Sequence, residues 1–403
     1  MTSNKKAISN SINKLQDVYK NISNNGKVKD LTNKLVKDKQ KLNLFLKRHP
    51  IKIILSIFTI IAILIYLIIF YRRICRYLNR MNKYYDPLIN VNPIQYNKKI
   101  MNGDFKLCDF YIASSYKSYL PCTNYYDYSC AASVKRVLKY GARYIDIDIM
   151  NNDFNYCTEP VVAYGEQKGN WKYTTSVHFS EIIEVISTYA FSSYIKNGSD
   201  PLFLNINFNT WYNKKTINKC AEMIKNKLSH KLLNKKFSYQ GRYTSTNIAT
   251  TPIKNLLNKL IIISNSNVKN TLMDELVNIN PFIGGNMRNM KHTDIENLYD
   301  SRELMIFNRK NLSVVSPNFN KRSKENYNFY TSYYLGCQFI LMNYTEPTDW
   351  MVAYIKRFAH CSFILKPYKL RYRAVYIKKP LKQTIKVSFA PKKETTPFYS
   401  MTY

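Results

Sequence analysis

Residues 141–149 read GARYIDIDI, and this segment points most directly to the architecture of the chain. Residues 144–149 form a short, mostly apolar run, which is typical of a strand buried on both faces. Asp146 and Asp148 fall near the carboxyl end of that run. The segment therefore predicts a buried strand that ends in acidic side chains.

Short apolar segments of the same kind recur along the chain. The candidate strands are residues 110–114, 144–149, 160–164, 202–208, 260–264, 304–307, 339–342 and 361–365. Helical stretches lie between them at residues 133–140, 179–191 and 215–233. Eight strands with intervening helices predict an α/β fold, a (β/α)8 TIM-type barrel, whose active-site groups lie at the carboxyl ends of the strands. The polar residues near those ends are Asp146, Asp148, Tyr164 and Asn207.

An uncharged run, IILSIFTIIAILIYLIIFY, occupies residues 53–71. At about 1.5 Å per residue it spans roughly 30 Å, the thickness of a bilayer core. A buried helix of a soluble protein is the alternative, although such helices are seldom so uniformly apolar. The long polar segment before the run argues against a cleaved signal peptide. The run predicts a transmembrane helix at residues 51–71 and a single-pass membrane protein.

The chain is strongly basic, with 61 Lys+Arg against 26 Asp+Glu and a formal net charge of +35. Such a charge favours anionic partners, either acidic lipid headgroups or nucleic acid. A genome-wide Lys/Asn/Ile/Tyr bias is the alternative explanation. The excess is spread along the chain without an RNA-binding motif, so nucleic acid is not the favoured partner. Residues 1–50 are interpreted as a basic Lys/Asn-rich tail and residues 72–104 as a juxtamembrane linker.

Three segments in the first half of the predicted barrel resemble a known family. They are DFYIASSYKSY (109–119), GARYIDIDI (141–149) and PVVAYG (160–165). Together they resemble the X box of eukaryotic phosphoinositide-specific phospholipase C, roughly SSHNTY, then G-R-x-(I/L)-E-(I/L)-D, then P-x-(V/I)-x-H-G. PLFLNIN (201–207) and TPIKNLLNKLIIISNSN (251–267) are similar to later parts of the same box. Residues 105–267 are thus expected to form an X-box half barrel.

Three later segments resemble the Y box of that family. They are FNRKNLSVVSP (307–317), YLGCQFILMNY (334–344) and FAHCSFILKPYKLR (358–371). Residues 268–371 are therefore interpreted as a linker and a Y-box half barrel. A tail, residues 372–403, follows, and KQTIKVSFAP (382–391) is similar to the opening strand of the family's C2 domain.

The resemblance places the family's two catalytic histidines on Tyr116 and Tyr164. In the family, one histidine stabilises charge on the phosphoryl group and the other protonates the leaving oxygen. Histidine suits this work because its pKa lies near 6.5, whereas tyrosine titrates near 10. The tyrosines are interpreted as ordinary residues of the barrel rim, and no residue of the chain is assigned as catalytic.

The resemblance also places the family's calcium ligands on altered residues. The corresponding positions are Lys117, Asp146, Asp148 and Asn207. Calcium takes six to eight oxygen ligands, and a cation at position 117 would repel it. No cofactor is therefore expected, and calcium would be one only if the chain were an active enzyme. The two aspartates pair with Lys117 or accept local backbone donors in one interpretation, and bind a cation weakly in the other.

Substrate contacts of the family are altered as well. The positions of its basic pair for ring phosphates hold Ser264 and Ser266, and those of an Arg and a Tyr that contact inositol hold Val314 and Ser316. The sequence therefore predicts a membrane-anchored phospholipase C-like barrel without catalysis, which has a binding or scaffolding role at a membrane, and it does not identify a protein partner. The composition suggests a large DNA virus, hence a host or virion membrane. An active phosphodiesterase with a rearranged site and a basic nucleic-acid-binding membrane protein are the alternatives.

Overall fold

The computed structural model describes residues 30, 33–34, 36–40, 50–121, 128–152, 158–166, 171–172, 174–238, 246–281, 285–318, 326–345, 347–374 and 390–403. The chain divides into two compact units, Met1–Arg76 and Tyr77–Tyr403. Most of the predicted basic tail and residues 382–389 of the predicted C2-like segment lie outside the described residues.

One long helix, Pro50–Tyr85, contains the uncharged run. Its segment Ile54–Tyr85 is long and apolar enough to cross a membrane, judged by length and composition. The helix continues beyond residue 71, so the first part of the predicted linker 72–104 is helical. Arginine, leucine and methionine are good helix formers, and residues 72–85 are rich in them, whereas Pro87 cannot continue the helix. A second, short helix, Lys98–Asn102, follows in the same predicted linker.

The second unit is a mixed α/β fold. Its strands are β1 Phe110–Ser115, β2 Tyr144–Asn151, β3 Pro160–Val162, β4 Gly165–Glu166, β5 Trp171–Lys172, β6 Val177–His178, β7 Leu202–Phe208, β8 Leu260–Ile263, β9 Met287–Lys291, β10 Leu312–Ser316, β11 Phe339–Met342, β12 Phe363–Leu365, β13 Lys393–Thr395 and β14 Ser400–Thr402. Its remaining α-helices are Ala131–Lys139, Phe179–Val185, Lys214–Leu228, Leu272–Leu276, His292–Glu296, Ser301–Asn308, Tyr330–Tyr334 and Asp349–Phe358.

The strands β9, β10, β11, β1, β2, β7 and β8 are hydrogen-bonded in that order, and every neighbouring pair in this run is parallel. A parallel bridge from Ile263 to Ile279 extends the run beyond β8. Three strands join antiparallel, namely β3 on β2, β6 on β3 and β12 on β1. Helices between successive parallel strands are the connections that parallel pairing requires.

The two faces of the parallel strands bury different clusters. On β2, Ile145 and Ile147 pack with the helices that surround the sheet. Tyr144 lies in the second cluster, where its ring centroid is 4.8 Å from that of Phe339. Because side chains alternate along a strand, Asp146 and Asp148 share the inner face with Tyr144.

Two predicted strands need correction, and one strand was missed. Residues 304–307 belong to the helix Ser301–Asn308, where the Asp300 side chain accepts the first backbone N–H groups. A short apolar run fits either a helix or a strand, and the helix cap decides this case. Residues 287–291 are a strand that the sequence did not predict, because its side chains alternate between buried and half-exposed or exposed. Residues 160–164 end as a strand at Val162 and pair antiparallel with β2, so Tyr164 does not end a parallel strand.

Candidate functional site

The carboxyl ends of β2 and β7 meet at a cavity of about 720 Å³. Register pairs Asp146 with Asn205 and Asp148 with Asn207, so four polar side chains lie side by side at this end of the sheet. All four line the cavity together with Lys117, which follows β1. The structure therefore brings together the four positions that the resemblance assigned to calcium ligands.

Lys117 forms a buried ion pair with both carboxylates. Its Nζ lies 2.5 Å from Oδ2 of Asp148 and 3.8 Å from Oδ2 of Asp146. Its backbone N–H also donates to Oδ2 of Asp146 at 3.1 Å. The Lys117 side chain is 13% exposed and both aspartates are 3% exposed. Of the two interpretations drawn from the sequence, pairing of the aspartates with Lys117 is the one that the structure contains.

The backbone at Lys117 contributes to this geometry. Its φ is 41°, in the left-handed region that a lysine seldom adopts. Ser118 holds the turn against β2, because its N–H donates to the carbonyl of Asp146 and its hydroxyl accepts the N–H of the same residue. The strained turn thus delivers both the amide and the ammonium of Lys117 to the carboxylates.

The remaining acceptor positions of the carboxylates are filled by neutral donors. Tyr119 donates its hydroxyl to Oδ2 of Asp148 at 2.6 Å. Asn207 donates Nδ2 to Asp146 at 2.9 Å and to Asp148 at 3.0 Å, and Asn205 donates to Asp146 at 2.8 Å. Hydrogen bonds and an ammonium therefore surround two carboxylates that burial alone would disfavour.

The electrostatics follow from burial and from these charges. Burial by itself lowers the pKa of Lys117, but the carboxylates of Asp148 and Asp146 outweigh it, and the net pKa of the ammonium is raised. Burial raises the pKa of Asp146, and the charge of Lys117 opposes that change. The cation is thus held in its charged form at the centre of the cavity.

These residues do not suit a bound calcium ion. Calcium needs several oxygen ligands, and the space between the carboxylates is taken by an ammonium and by amide N–H groups. Within the described residues, no group of three or more His, Cys, Asp or Glu side chains could hold a metal ion.

Tyr116 lies beside the ion pair, with Nζ of Lys117 5.1 Å from its ring centroid. Burial raises the pKa of Tyr116, and the charges of Asp146, Asp148 and Tyr164 raise it further against the opposing effect of Lys117. Tyr164 is therefore close enough to act electrostatically on Tyr116. Of the two tyrosines, Tyr116 is in the described lining of the cavity and Tyr164 is not.

The predicted substrate positions divide into two groups. Ser266, Val314 and Ser316 line the cavity, whereas Ser264 is fully buried behind it. The hydroxyl of Ser264 donates to the carbonyl of Ile206, and that of Ser266 accepts the N–H of Phe208. Neither serine presents a positive charge to a ligand.

Several residues of the site were not predicted. Tyr119 and Asn205 bind the carboxylates directly, and Asn265 donates to Oδ1 of Asn207 at 3.1 Å. Asn205 could have been found by stepping back two residues from Asn207 along a strand, because such residues share a face. Tyr119 carried no comparable signal, since it follows the irregular turn at Lys117.

Several known proteins are similar to this chain. Residues 104–266 match the family described as phosphatidylinositol-specific phospholipase C, X domain. The chain is 30% identical over 115 residues to 1-phosphatidylinositol 4,5-bisphosphate phosphodiesterase eta-1 of Mus musculus, which covers 28% of this chain and 6% of that protein. It is 24% identical over 313 residues to the delta-3-A phosphodiesterase of Danio rerio, which covers 65% of this chain and 38% of that protein.

The crystal structure of L. pealei PLC21 has the same fold, with a TM-score of 0.56 and 18% identity over 66% of this chain and 38% of that one. The chain thus spans a minor part of the length of the relatives it matches. The predicted α/β barrel fold is confirmed by this likeness and by the parallel strands. Residues 104–266 therefore match the phosphatidylinositol-specific phospholipase C X domain, and the chain is similar to eukaryotic-type phosphoinositide-specific phospholipases C.

Proposed function

We propose that this protein is a membrane-anchored phospholipase C-like barrel that binds or scaffolds at a membrane and does not hydrolyse phosphodiesters. The observation that carries the proposal is the ion pair of Lys117 with Asp148 and Asp146 at the mouth of the X domain. An enzyme of this class needs that position for a metal cation, and here the chain supplies its own ammonium.

The acid–base groups support the same conclusion. The motif resemblance assigns the family's histidine positions to Tyr116 and Tyr164 in this sequence. General acid–base catalysis is most effective when the catalytic pKa lies near the working pH. Burial raises the pKa of Tyr116 above its ordinary value, which is already high. A phenol of this kind neither accepts nor releases a proton readily at neutral pH.

Two features support a location at a membrane. The helix Pro50–Tyr85 carries a segment with the length and composition of a membrane span. The net charge of +35 favours an anionic lipid surface. The same charge is compatible with nucleic acid, but no further observation favours that partner.

The test is a turnover assay on the full chain reconstituted in vesicles that contain phosphatidylinositol, its 4-phosphate or its 4,5-bisphosphate, with calcium or with chelator. We expect no inositol phosphate above a heat-inactivated control. Release by the native chain that disappears in Tyr116→Phe or Tyr164→Phe would show an active enzyme with tyrosine catalysts.

A repair series sharpens the same test. We expect Tyr116→His with Tyr164→His to remain inactive, because Lys117 still fills the cation position and residues that act as a unit are not additive. Adding Lys117→Asn and Asn207→Glu gives the smallest set for which turnover is expected. Activity in the double histidine variant would contradict the role given to Lys117.

A further inference from the structure

A second cavity, of about 550 Å³, lies at the other end of the parallel strands. Its lining includes Ser199 and Asn258, which come just before β7 and β8, whereas the candidate site lies at the carboxyl ends of β2 and β7. Residues 92, 93, 95 and 96, which follow the long helix, form another wall. The volume is in the range of small-molecule sites. This cavity is therefore a possible binding site separate from the one described above.

Hydrogen bonds between the walls fix the shape of the second cavity. The N–H of Ile94 donates to Oδ1 of Asp200 at 2.8 Å, which joins the segment after the long helix to the turn before β7. The N–H of Asn258 donates to the carbonyl of Ser199 at 2.7 Å, which joins the turns before β7 and β8. The fold itself thus holds three separate segments around one space.

The lining of the second cavity carries two positive charges and, among the residues that the structure describes, no carboxylate. Nζ of Lys196 donates to Oδ1 of Asn90 at 2.8 Å, and Nζ of Lys231 donates to Oδ1 of Asn258 at 2.6 Å. Both acceptors are neutral amides, so these contacts compensate neither charge. Burial lowers the pKa of Lys231, and the charge of Lys259 lowers it further, which shows that a third cation lies close by.

Carboxylates near the second cavity already face other cations. Asp200 lies behind the lining, where burial raises its pKa to about 6 and the charge of Arg143 opposes that rise. Asp86 lines an adjoining cavity that shares Lys196, but its Oδ1 pairs with Nζ of Lys139 at 2.8 Å. A bound anion would therefore neutralise positive charge that the described part of the chain leaves uncompensated.

The rest of the lining suits a phosphate group with an apolar attachment. Ammonium groups bind phosphate as point charges, and the exposed residues Ser193 and Gln95 add a hydroxyl and an amide that can donate to its oxygens. The ring centroid of Phe191 lies 5.1 Å from Nζ of Lys231, and Tyr96 is 70% exposed at the rim. Tyrosine is enriched at the level of lipid headgroups.

The position of the second cavity in the chain favours a lipid as the source of the phosphate. Residues 72–91 connect the wall at residues 92–96 to the uncharged run of the long helix. Through this connection the cavity stays within reach of lipid headgroups when the run crosses a bilayer. Basic groups at a membrane surface attract anionic lipids.

From these observations we infer that the cavity lined by Lys196 and Lys231 binds the phosphate headgroup of an anionic membrane lipid. The two ammonium groups contact the phosphate oxygens, and Phe191 and Tyr96 face the apolar part of the lipid. The inference rests on the membrane location in the proposed function and not on the absence of catalysis.

The test measures affinity by thermophoresis of the full chain in lauryldimethylamine oxide, a detergent without phosphate. The probes are dihexanoyl phosphatidic acid, dihexanoyl phosphatidylcholine and inorganic phosphate. We expect phosphatidic acid to bind more tightly than both others, because it alone combines an anionic phosphate with an apolar attachment. Equal or tighter binding of phosphatidylcholine would refute a site for anionic headgroups. Equal or tighter binding of inorganic phosphate would refute a lipid as the source of the phosphate.

A double variant and a matched control locate the binding. Lys196→Gln with Lys231→Gln removes both charges from the lining. Loss of one hydrogen bond to a charged group corresponds to a roughly tenfold or greater loss of affinity, so we expect at least that change for phosphatidic acid. The control, Lys225→Gln with Lys356→Gln, removes the same charge from two exposed lysines outside the lining and should leave the affinity nearly unchanged.

Melting temperatures verify that both double variants are folded. Equal losses of affinity in the two would show attraction by net charge alone and would overturn the inference. A thymidine oligonucleotide serves as a further probe, and a larger loss of its affinity than of the phosphatidic acid affinity in Lys196→Gln, Lys231→Gln would assign the cavity to nucleic acid instead.

Extraction with alkaline carbonate separates this inference from the proposed function. A chain that stays in the membrane pellet but does not prefer phosphatidic acid would refute the headgroup site alone. Release into the supernatant would refute the membrane location on which the site rests. The phosphodiesterase assay is independent of both results, because it reports on catalysis at the other end of the strands.

Discussion

Nζ of Lys117 lies 2.5 Å from Oδ2 of Asp148, and both groups are almost fully removed from solvent. A buried pair of this kind is not in itself evidence of high stability, since desolvation offsets much of the attraction. Replacing one partner of such a pair is costly, however, because the other partner then remains as an uncompensated buried charge. Without the Lys117 ammonium, two buried carboxylates, Asp146 and Asp148, would remain.

The first prediction concerns Lys117→Met, which removes the charge and replaces the side chain with an unbranched one that is one atom shorter. We expect the free energy of unfolding to fall by about 3–5 kcal/mol, as for other buried pairs that lose one partner. The control is Lys139→Met, because Lys139 pairs with Asp86 at a site where both side chains are 40% or more exposed, and such surface pairs contribute about 0–1 kcal/mol. Equal denaturant midpoints for the two variants would contradict this account.

The second prediction concerns Lys366, which is fully buried. Burial lowers its pKa to about 8, whereas an unfolded lysine titrates near pH 10.4. Between these values the unfolded chain binds more protons than the folded one, so this group makes stability rise with pH from about 8 to 10.4. Below pH 8 the full cost of burying the ammonium is present.

Lys366→Met should therefore stabilise the fold at pH 7 and flatten the dependence of the denaturant midpoint on pH between about 8 and 10. Lys369→Met is the control, because its side chain is exposed. The lowered pKa of Lys366 would be refuted if the denaturant midpoints of the native protein and of Lys366→Met changed equally with pH between about 8 and 10.

The third prediction is that the native chain has no micromolar calcium site at the barrel mouth. Calorimetry should show no binding heat, because the Lys117 ammonium lies between the carboxylates. The double variant Lys117→Asn, Asn207→Glu should bind calcium. It removes the ammonium, adds a carboxylate to those of Asp146 and Asp148, and supplies an amide oxygen at position 117. Micromolar calcium binding by the native chain that is lost in Asp146→Asn would show that calcium displaces the Lys117 ammonium.

The fourth prediction separates the membrane segment from the barrel. Alkaline carbonate should leave the full chain in the membrane pellet, and release into the supernatant would contradict membrane integration. A chain that lacks residues 1–76 should be soluble, and it should keep the contacts of residues 77–83 with the barrel.

A chain that lacks residues 1–83 should be less stable, because it also loses Met81, which is 2% exposed, and the Asn82 side chain that accepts the hydroxyl of Tyr140 at 2.5 Å. Loss of a buried methionine typically costs about 2–5 kcal/mol. Equal melting temperatures of the two truncated proteins would show that residues 77–83 do not stabilise the barrel.

The sequence predicted those elements whose pattern is local. Residues 202–208 and 339–342 are strands with the predicted bounds, because each is a short and mostly apolar run. The strand predicted at residues 304–307 was wrong, because these residues belong to a helix that begins at the Asp300 cap, and apolar periodicity does not reveal a cap.

The candidate site was predictable to the same extent. The sequence placed Asp146, Asp148 and Asn207 near strand ends. In the structure Asn207 is next to last in β7, whereas β2 runs on to Asn151, so Asp146 and Asp148 lie within that strand. Pairing of the aspartates with Lys117 was one of two open interpretations. The sequence could not decide between them, because the ammonium reaches the carboxylates only through the conformation of the turn at Lys117. The contacts of the Tyr119 hydroxyl and the Asn205 amide depend on strand register and turn conformation, which local pattern does not specify.

The turn that carries Lys117 has a further consequence for any ion in solution. Because the ammonium is attached to the backbone beside its carboxylates, it competes as a tethered ligand whose effective concentration is about millimolar or higher even for a flexible link. The backbone N–H of Lys117 donates to Asp146, so the backbone end of this link is itself held beside the carboxylates. A change in the concentration of divalent cations around the protein would therefore leave the charge of this cavity unchanged.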